Sequence, residues 1–305
     1  MRAHEDTRVY GGVEAGGTKF VCVIGTDAGA IIDSRQIRSG EPAKTLAAVV
    51  AFFRGAIEAD TPLKAIGIGS FGPVELRSEN PRYGWITTTP KPQWANTDLV
   101  GPVASAFGLP VGFDTDVNAA ALGEGRWGAA KGLRSFVYLT LGTGIGGAAV
   151  ADGRLVHGLG HTEMGHIVVA RLPGDTFPGI CPFHGDCLEG MASGPALEAR
   201  FGQRAEALTG AYQDEVRAIV THYVASGCRS LVYCLAPERI VVGGGVGSLP
   251  GLVSAIRAEL FAQLADYPGL PEHAEDSFMV PAALGGMAGP TGTLILAEQA
   301  TVSHH

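Results

Sequence analysis

One pattern of strands and glycine turns occurs twice in this sequence. Residues 9–32 predict a strand, a Gly/Thr turn, a second strand, an Asp/Gly turn and a third strand, and residues 135–156 repeat that order. A chain that carries the same antiparallel unit twice is constrained to fold as two similar halves, which face each other across a cleft. Hairpins with glycine turns are also common in unrelated proteins. The repeat therefore predicts a duplicated α/β fold without identifying what it binds.

The composition favours a large folded protein with more than one domain. The chain has 305 residues, of which 46% are hydrophobic and 45 are glycine. Single hydrophobic cores stop growing at about 250–300 residues, so the length favours two domains. Glycine has about twice its ordinary share. The glycines lie in short clusters beside apolar runs, which indicates turns where the backbone approaches a ligand.

Charge and hydropathy argue against several classes of partner. The formal net charge is −8 and no basic run occurs, so we expect no binding to nucleic acid. No apolar stretch reaches the roughly 18 residues that a membrane helix needs, and we expect no membrane partner. Residues 1–12 lack the apolar region of a signal peptide. We therefore expect a cytoplasmic protein.

Three glycine-rich turns are candidates for phosphate binding. Their residues are Gly16, Gly17, Thr18 and Lys19 in the first turn, Gly142, Thr143 and Gly144 in the second, and Gly243, Gly244 and Gly245 in the third. Backbone N–H groups in such turns can approach phosphate oxygens because glycine has no Cβ, and threonine adds a hydroxyl group. None of the turns has the spacing of a P-loop or of a dinucleotide-binding motif. Together they predict a nucleoside triphosphate bound in the cleft.

Asp116 follows a predicted strand and begins a predicted helix. One interpretation is a helix N-cap, in which the carboxylate accepts a backbone N–H and stabilises the helix by about 1 kcal/mol. The other is a general base that accepts the proton of a substrate hydroxyl as it attacks phosphorus. Asp114 competes for either role. The residues alone leave the two interpretations open.

The segment of residues 163–189 carries a set of side chains suited to zinc. Two cysteines and two histidines form this set: His166, Cys181, His184 and Cys187. Four such ligands fit tetrahedral Zn²⁺ and leave no position for water, so the zinc would be structural. It would order a loop that is rich in glycine and proline. His157 and His161 are alternative fourth ligands.

Two acidic residues flank this set. Glu163 and Glu189 would be held in place by the loop that binds the metal. Carboxylates fixed in this way can accept hydrogen bonds from sugar hydroxyls. Ordinary solvated acids on a protein surface would give the same sequence, so the pattern alone does not choose between a sugar site and a solvated surface.

Taken together, these motifs resemble the ROK sugar kinases, in the family's order and from about residue 10 to residue 298. The matching segments are Glu14-x-Gly16-Gly17-Thr18-Lys19, Thr115-Asp116-Val117-Asn118, Leu141-Gly142-Thr143-Gly144, Glu163-Met164-Gly165-His166 and Cys187-Leu188-Glu189. The segment from Tyr83 to Pro90 is similar to the family's bacterial fructokinase branch. Glucokinase-like members have Asn where this chain has Thr115. They also have Cys-x-Cys-Gly in the zinc loop, whereas in this chain His184 replaces a cysteine and the loop is longer. Both differences point away from glucokinase.

The resemblance implies an actin-like, ribonuclease-H-type fold with two lobes around a cleft, and usually a homodimer. We place a smaller N-terminal lobe at residues 1–116 with a C-terminal helix at about 288–300, and a larger lobe with the zinc loop at residues 117–287. The substrates would be ATP and a hexose, with D-fructose converted to fructose 6-phosphate. A kinase for mannose, glucose or an amino sugar, and a non-catalytic sugar sensor, are the alternatives.

The resemblance also implies roles for individual residues. Asp116 corresponds to the general base, and Glu14 and Asp116 would bind Mg²⁺. The turns at 16–19 and 142–144 would hold the phosphates, and the turn at 243–245 would hold the adenosine. The residues that would bind the sugar are Thr115, Glu163, His166 and Glu189, of which His166 would also bind zinc.

Overall fold

The structure is a computed structural model that describes residues 7–204 and 210–302. His304 and His305, to which the sequence assigns no role, lie outside the described residues. Within the described residues the chain forms two compact units. The first unit contains residues 7–128, 157–161 and 286–302, and the second contains residues 129–156, 162–204 and 210–285.

The helices and strands of the described residues are numbered in chain order. The strands are β1 (Val9–Ala15), β2 (Lys19–Thr26), β3 (Ile31–Arg38), β4 (Ile66–Ser70), β5 (Trp85–Ile86), β6 (Thr97–Asp98), β7 (Val111–Thr115), β8 (Phe136–Leu141), β9 (Ile145–Ala151), β10 (Arg154–Leu155), β11 (Arg239–Gly243) and β12 (Met279–Pro281). The α-helices are α1 (Pro42–Glu58), α2 (Val100–Phe107), α3 (Asp116–Trp127), α4 (Leu188–Ala192), α5 (Gly194–Phe201), α6 (Ala211–Leu235), α7 (Leu252–Leu264) and α8 (Ala288–Val302).

The two units contain sheets of the same topology. The strand order is β3-β2-β1-β4-β7 in the first unit and β10-β9-β8-β11-β12 in the second. In each sheet the first three strands are antiparallel neighbours and the remaining two pair in parallel. The predicted duplication is confirmed by this match in strand order and direction.

Glycines on the first sheet allow α8 to pack directly against the strands. A Cβ at Gly67 in β4 would collide with the carbonyl of Thr293, and a Cβ at Gly112 in β7 would collide with the carbonyl of Leu296. Most residues of α8 are buried, as expected for a helix that is apolar on all sides. A helix from the far end of the sequence therefore covers one face of the first sheet, where Leu294 and Ala297 pack against Tyr10 and Val23.

The helix α3 also belongs to the first unit, since it packs closely against α8. A Cβ at Gly123 would meet the carbonyl of Ala288, and a Cβ at Gly292 would meet the carbonyl of Ala119. This division differs from the lobe boundary expected at residue 116, because α3 stays with the sheet that precedes it. Residues 157–161 also belong to the first unit.

The core of the second unit lies between its sheet and the helices α4, α6 and α7. It includes Leu139 from β8, Ile240 from β11 and Tyr223 from α6, all of which are fully buried. None of the described helices is both long enough and apolar enough to cross a membrane, and the 25-residue α6 lacks the required apolar window.

Candidate active site and metal centre

Acidic residues meet at the carboxyl ends of the parallel strands of the first sheet. In the strand register, Glu14 of β1 pairs with Gly69 of β4, and Gly69 pairs with Asp114 of β7. Asp116 follows two residues later as the first residue of α3. Ligands of open α/β sheets bind at this edge, because the turns that follow parallel strands gather there.

Glu14 is a partly buried carboxylate that interacts with Asp116. Burial is the main cause that raises the pKa of Glu14 to about 7, and the negative charge of Asp116 adds to it, whereas Lys19 acts in the opposite direction. A Cβ at Gly289 of α8 would overlap the Glu14 carboxylate. Two carboxylates that oppose each other's ionisation form an arrangement that a divalent cation with oxygen ligands stabilises. The pair therefore fits a Mg²⁺ site.

Asp116 is not the N-cap of α3. Thr115 has that position, and its Oγ1 accepts a hydrogen bond of 3.1 Å from the backbone N–H of Asn118. The interpretation of Asp116 as a helix cap is therefore wrong, because the preceding threonine satisfies the helix end. One carboxylate oxygen of Asp116 accepts a hydrogen bond of 2.8 Å from the N–H of Val117.

Asp114 is buried and lies within a hydrogen-bonded network. Its Oδ1 accepts hydrogen bonds from the Asn118 side chain at 2.6 Å and from the backbone N–H of Thr115 at 2.7 Å. Its Oδ2 lies 2.9 Å from Nε2 of His157. The hydrogen bond to Asp114 raises the pKa of His157, although burial acts to lower it. These contacts fix the turn that carries Asp116.

The first glycine turn, at residues 16–19, connects β1 to β2. The N–H of Gly16 donates to the carbonyl of Lys19 at 3.0 Å. The carbonyl of Gly17 accepts a hydrogen bond from Nζ of Lys91. The sequence motifs do not predict this contact of Lys91, although the residue directly follows the segment from Tyr83 to Pro90.

The other two glycine turns are brought together in the second unit. The backbone N–H of Val246 donates to the carbonyl of Leu141 at 2.9 Å, which joins the turn at 243–245 to the end of β8. Gly244 has a φ of +86°, and a Cβ there would collide with the backbone of Leu141. The turn at 142–144 follows β8 directly. Both predicted nucleotide-binding turns thus lie at the carboxyl ends of the neighbouring parallel strands β8 and β11.

Glu189, in the first turn of α4, lies against the turn at 142–144. Its Oε2 accepts a hydrogen bond of 2.9 Å from the N–H of Ile145. A Cβ at Gly144 would come within 2.7 Å of the same oxygen. Glu163 precedes a short 3₁₀ helix, and its carbonyl accepts a hydrogen bond of 3.0 Å from the N–H of His166. Of the predicted sugar-binding residues, Glu163, His166 and Glu189 lie in the second unit and Thr115 lies in the first.

Two cysteines and two histidines form a compact cluster in the second unit. Its members are His166, Cys181, His184 and Cys187, with ligand atoms within 4.8 Å of one another. The Sγ of Cys181 lies 3.7 Å from Nδ1 of His166 and 3.7 Å from Nδ1 of His184. The Sγ of Cys187 lies 3.5 Å from Nδ1 of His166. This set of donors can hold a metal ion.

The spacing of the cluster fits tetrahedral zinc. Zn–S bonds of about 2.3 Å and Zn–N bonds of about 2.0–2.1 Å place S and N ligands about 3.5–3.6 Å apart at the tetrahedral angle. Three S···N distances in the cluster, of 3.5–3.7 Å, agree with that value. The alternative fourth ligands bind elsewhere: His157 contacts Asp114, and Nε2 of His161 accepts the N–H of Val74 at 3.0 Å.

The duplicated sheets, the acidic strand ends and the glycine turns define an actin-like ATPase fold of the sugar-kinase type. The chain belongs to the ROK family, which it matches over residues 10–300. It is 41% identical to the fructokinase of Pediococcus pentosaceus over 292 residues, which cover 96% of this chain and 98% of that relative.

Solved structures show the same fold. The ROK hexokinase from Thermus thermophilus is 28% identical with a TM-score of 0.78, and the match covers 97% of this chain and 100% of that structure. A ROK glucokinase from Streptomyces griseus, solved with glucose and AMPPNP, is 26% identical with a TM-score of 0.74. That match covers 96% of this chain and 99% of the glucokinase.

Proposed function

We propose that this protein is an ATP-dependent fructokinase that transfers the γ-phosphoryl group of ATP to the 6-hydroxyl of D-fructose. Membership of the ROK family and the similarity to a fructokinase over nearly the whole chain support this function. One structural observation carries the chemistry. Asp116 lies beside Glu14 at the edge of the first sheet, in the same unit as the glycine turn at 16–19.

Asp116 would act as the general base. Its carboxylate would accept the proton of the 6-hydroxyl as that oxygen attacks the γ-phosphorus. Thr115 caps the helix, so the Asp116 side chain is not required for that purpose. The contacts of Asp114 with Asn118 and His157 hold the turn in place. A base held in position accelerates the reaction more than a mobile one, because catalysis of this kind depends mainly on positioning.

The glycine turns would hold the nucleotide. Gly16–Lys19 and Gly142–Gly144 would contact the phosphates through backbone N–H groups, and Gly243–Gly245 would contact the adenosine. Mg²⁺, when bound, would neutralise charge on the phosphates. Glu14 and Asp116 would hold it, and the raised pKa of Glu14 supports this assignment because a cation stabilises the ionised form.

The sugar would bind to side chains that form hydrogen bonds with its hydroxyl groups. These are Thr115, Glu163, His166 and Glu189. Glu189 already has one oxygen engaged by Ile145, which leaves its other carboxylate oxygen to accept a sugar hydroxyl. The alternative substrates are mannose, glucose and amino sugars, which offer similar hydroxyl groups.

The cysteine and histidine cluster would bind a structural zinc ion. Its four side chains would complete a tetrahedral site, which would leave no coordination position for a substrate. The zinc would order the loop before α4 and, through His166, one side of the sugar site. We further propose that the protein is a cytoplasmic homodimer, as the ROK resemblance suggests.

A panel of hexoses tests this proposal. ADP release would be measured with fructose, mannose, glucose and N-acetylated amino sugars at equal concentrations. The fructokinase proposal requires the largest kcat/KM for fructose. A preference for glucose over fructose would overturn it. Binding of fructose without ADP release from any sugar would favour the non-catalytic sensor.

A further inference from the structure

Lys91 brings a positive charge to the glycine turn of the first unit. Its Nζ donates a hydrogen bond of 2.5 Å to the carbonyl of Gly17 and lies 5.8 Å from the centre of the Phe71 ring. Gly17 belongs to the turn proposed to hold phosphate. We infer that Lys91 is a further catalytic residue, which binds the phosphoryl group during its transfer. This inference rests on the proposed kinase function.

The turn and the lysine fit each other. A Cβ at Gly17 would overlap both Cε and Nζ of Lys91. The absence of a side chain at this position therefore serves two purposes: it lets a phosphate approach the backbone of the turn, and it lets the lysine side chain lie across the turn. A positive charge is thereby placed where the negative charge of a phosphate would come.

The backbone around Lys91 is fixed by aromatic packing. The carbonyl of Lys91 accepts the N–H of Trp94 at 2.9 Å. Trp94 is buried, with its ring centre 5.2 Å from Phe20 and 6.0 Å from Phe71. The backbone of Lys91 is therefore anchored to a buried tryptophan, and a charge positioned in advance stabilises a transition state at little cost in reorganisation.

The ammonium group retains donors for a ligand. It has three N–H donors, and the Gly17 carbonyl accepts one of them. Within residues 7–204 and 210–302, Lys91 has no carboxylate within 4.0 Å and so forms no ion pair. Lysine commonly binds phosphate as a point charge. The chemistry of the site thus matches a phosphoryl group with its three non-bridging oxygens.

The role of Lys91 in the reaction is electrostatic. Asp116 accepts the proton of the sugar 6-hydroxyl, a bond forms between that oxygen and the γ-phosphorus, and the bond to the β–γ bridging oxygen breaks with its electron pair left on ADP. Lys91 transfers no proton. Its charge stabilises the oxygens of the phosphoryl group between ATP and sugar phosphate.

The alternative is that Lys91 only fastens the glycine turn. Three variants separate the two roles: Lys91→Met removes the charge and keeps a chain of similar length, Lys91→Arg restores a charge, and Lys64→Met removes an exposed lysine of the same unit as a control. We expect Lys91→Met to lower kcat ten- to a hundredfold at an unchanged melting temperature. Lys91→Arg should recover part of the loss, and Lys64→Met should resemble the wild type.

Ligand binding identifies which phosphate Lys91 contacts. Titrations with AMPPNP, ADP and fructose 6-phosphate would be compared between the wild type and Lys91→Met. Weaker binding of AMPPNP with unchanged ADP assigns the contact to the γ-phosphate of the nucleotide, and weaker binding of fructose 6-phosphate assigns it to the product. Either result supports the inference, because the same phosphoryl group is concerned.

Equal affinities for all three ligands, together with a kcat within twofold of the wild type, would overturn the inference. The inference would also be overturned if Lys91→Met lost activity together with a lowered melting temperature and Lys91→Arg lost as much activity. The titrations need no turnover, so they test Lys91 even if the wild type phosphorylates no hexose. That last result would overturn the proposed function and not the phosphate contact.

Discussion

Nε2 of His157 lies 2.9 Å from Oδ2 of Asp114, a buried carboxylate two residues before Asp116. The histidine comes from a segment that follows β10, whereas Asp114 ends β7. Asp114 also accepts the Asn118 side chain through its other oxygen. One carboxylate thus fixes both the strand end and the first turn of α3, and the position of Asp116 depends on it.

We predict that His157→Gln lowers stability in a pH-dependent way. The hydrogen bond to Asp114 raises the pKa of His157, so the folded state favours its protonated form. The contribution of this interaction to the free energy of unfolding is fully present below the pKa of about 6.5 that histidine has in the unfolded chain. It is lost as the pH rises through the pKa of His157 in the folded protein. We expect a difference of about 0.5–1 kcal/mol below pH 6.5, kept small by solvent screening, that shrinks toward pH 8. Urea unfolding across this range measures it.

His273→Gln is the matched control for this titration. Burial lowers the pKa of His273, so its contribution should be present above about pH 6.5 and decline as the pH falls. Tyr83 also lies near Asp114, but burial, with the charge of Asp114 adding to it, raises the pKa of Tyr83 above the ordinary value of about 10, so this side chain stays neutral throughout. Parallel pH profiles for the two histidine variants would contradict the assignment of opposite shifts.

We predict that Asp116→Asn retains fructose binding while kcat falls by about 10²–10⁴-fold, the typical contribution of a positioned general base. The amide is of the same size but cannot accept the hydroxyl proton. Asp33→Asn, which changes an exposed residue of β3 in the same unit, is the control. Calorimetry with fructose and initial rates with ATP separate binding from turnover. Near-normal turnover would remove Asp116 as the base.

We predict that Gly289→Ala in α8 displaces the Glu14 carboxylate. The new Cβ would overlap the Glu14 carboxylate, so the carboxylate must move, at a cost of about 1–3 kcal/mol in the free energy of unfolding. A displaced Glu14 should also raise the Mg²⁺ concentration needed for half-maximal activity. Gly286→Ala is the control, because its Cβ would meet open space. Identical Mg²⁺ titrations of the two variants would argue against a role for Glu14.

We predict about one zinc ion per chain, the number that one tetrahedral cluster holds, lost in the double variant Cys181→Ser and Cys187→Ser. Loss of the metal should lower the melting temperature, since the loop before α4 is then held by fewer contacts. Elemental analysis and thermal unfolding measure the two effects. Cys234→Ser, at an exposed cysteine, should keep the metal. A wild-type protein purified with zinc available but containing none would exclude the site.

The local pattern of the sequence predicted the antiparallel part of each sheet. The turn at 16–19 and the turn at 142–144 each separate short apolar runs, and the period of two residues within those runs is a property of a single strand. The position of Asp116 between β7 and α3 was predicted for the same reason. That Thr115 and not Asp116 caps the helix was not predicted, because both residues suit a helix start.

Contacts between distant segments could not be predicted in this way. Lys91 meets Gly17 across 74 positions of sequence, and no periodicity records such a meeting. The sequence also leaves His157 and His161 as alternative zinc ligands, because histidine suits that metal equally well at several positions. In the structure these two histidines instead contact Asp114 and Val74.

The position of α8 in the sequence sets the order in which the two cores can be completed during synthesis. The core of the second unit draws on residues between Val137 and Met279, so it can close as soon as that stretch has left the ribosome. The strands β1, β4 and β7 are made earlier, but the glycine face between them stays exposed until α8 follows. The unit that carries Glu14 and Asp116 thus begins first and finishes last, and in a nascent chain the four side chains of the cysteine and histidine cluster can come together before α8 covers the sheet that carries Glu14.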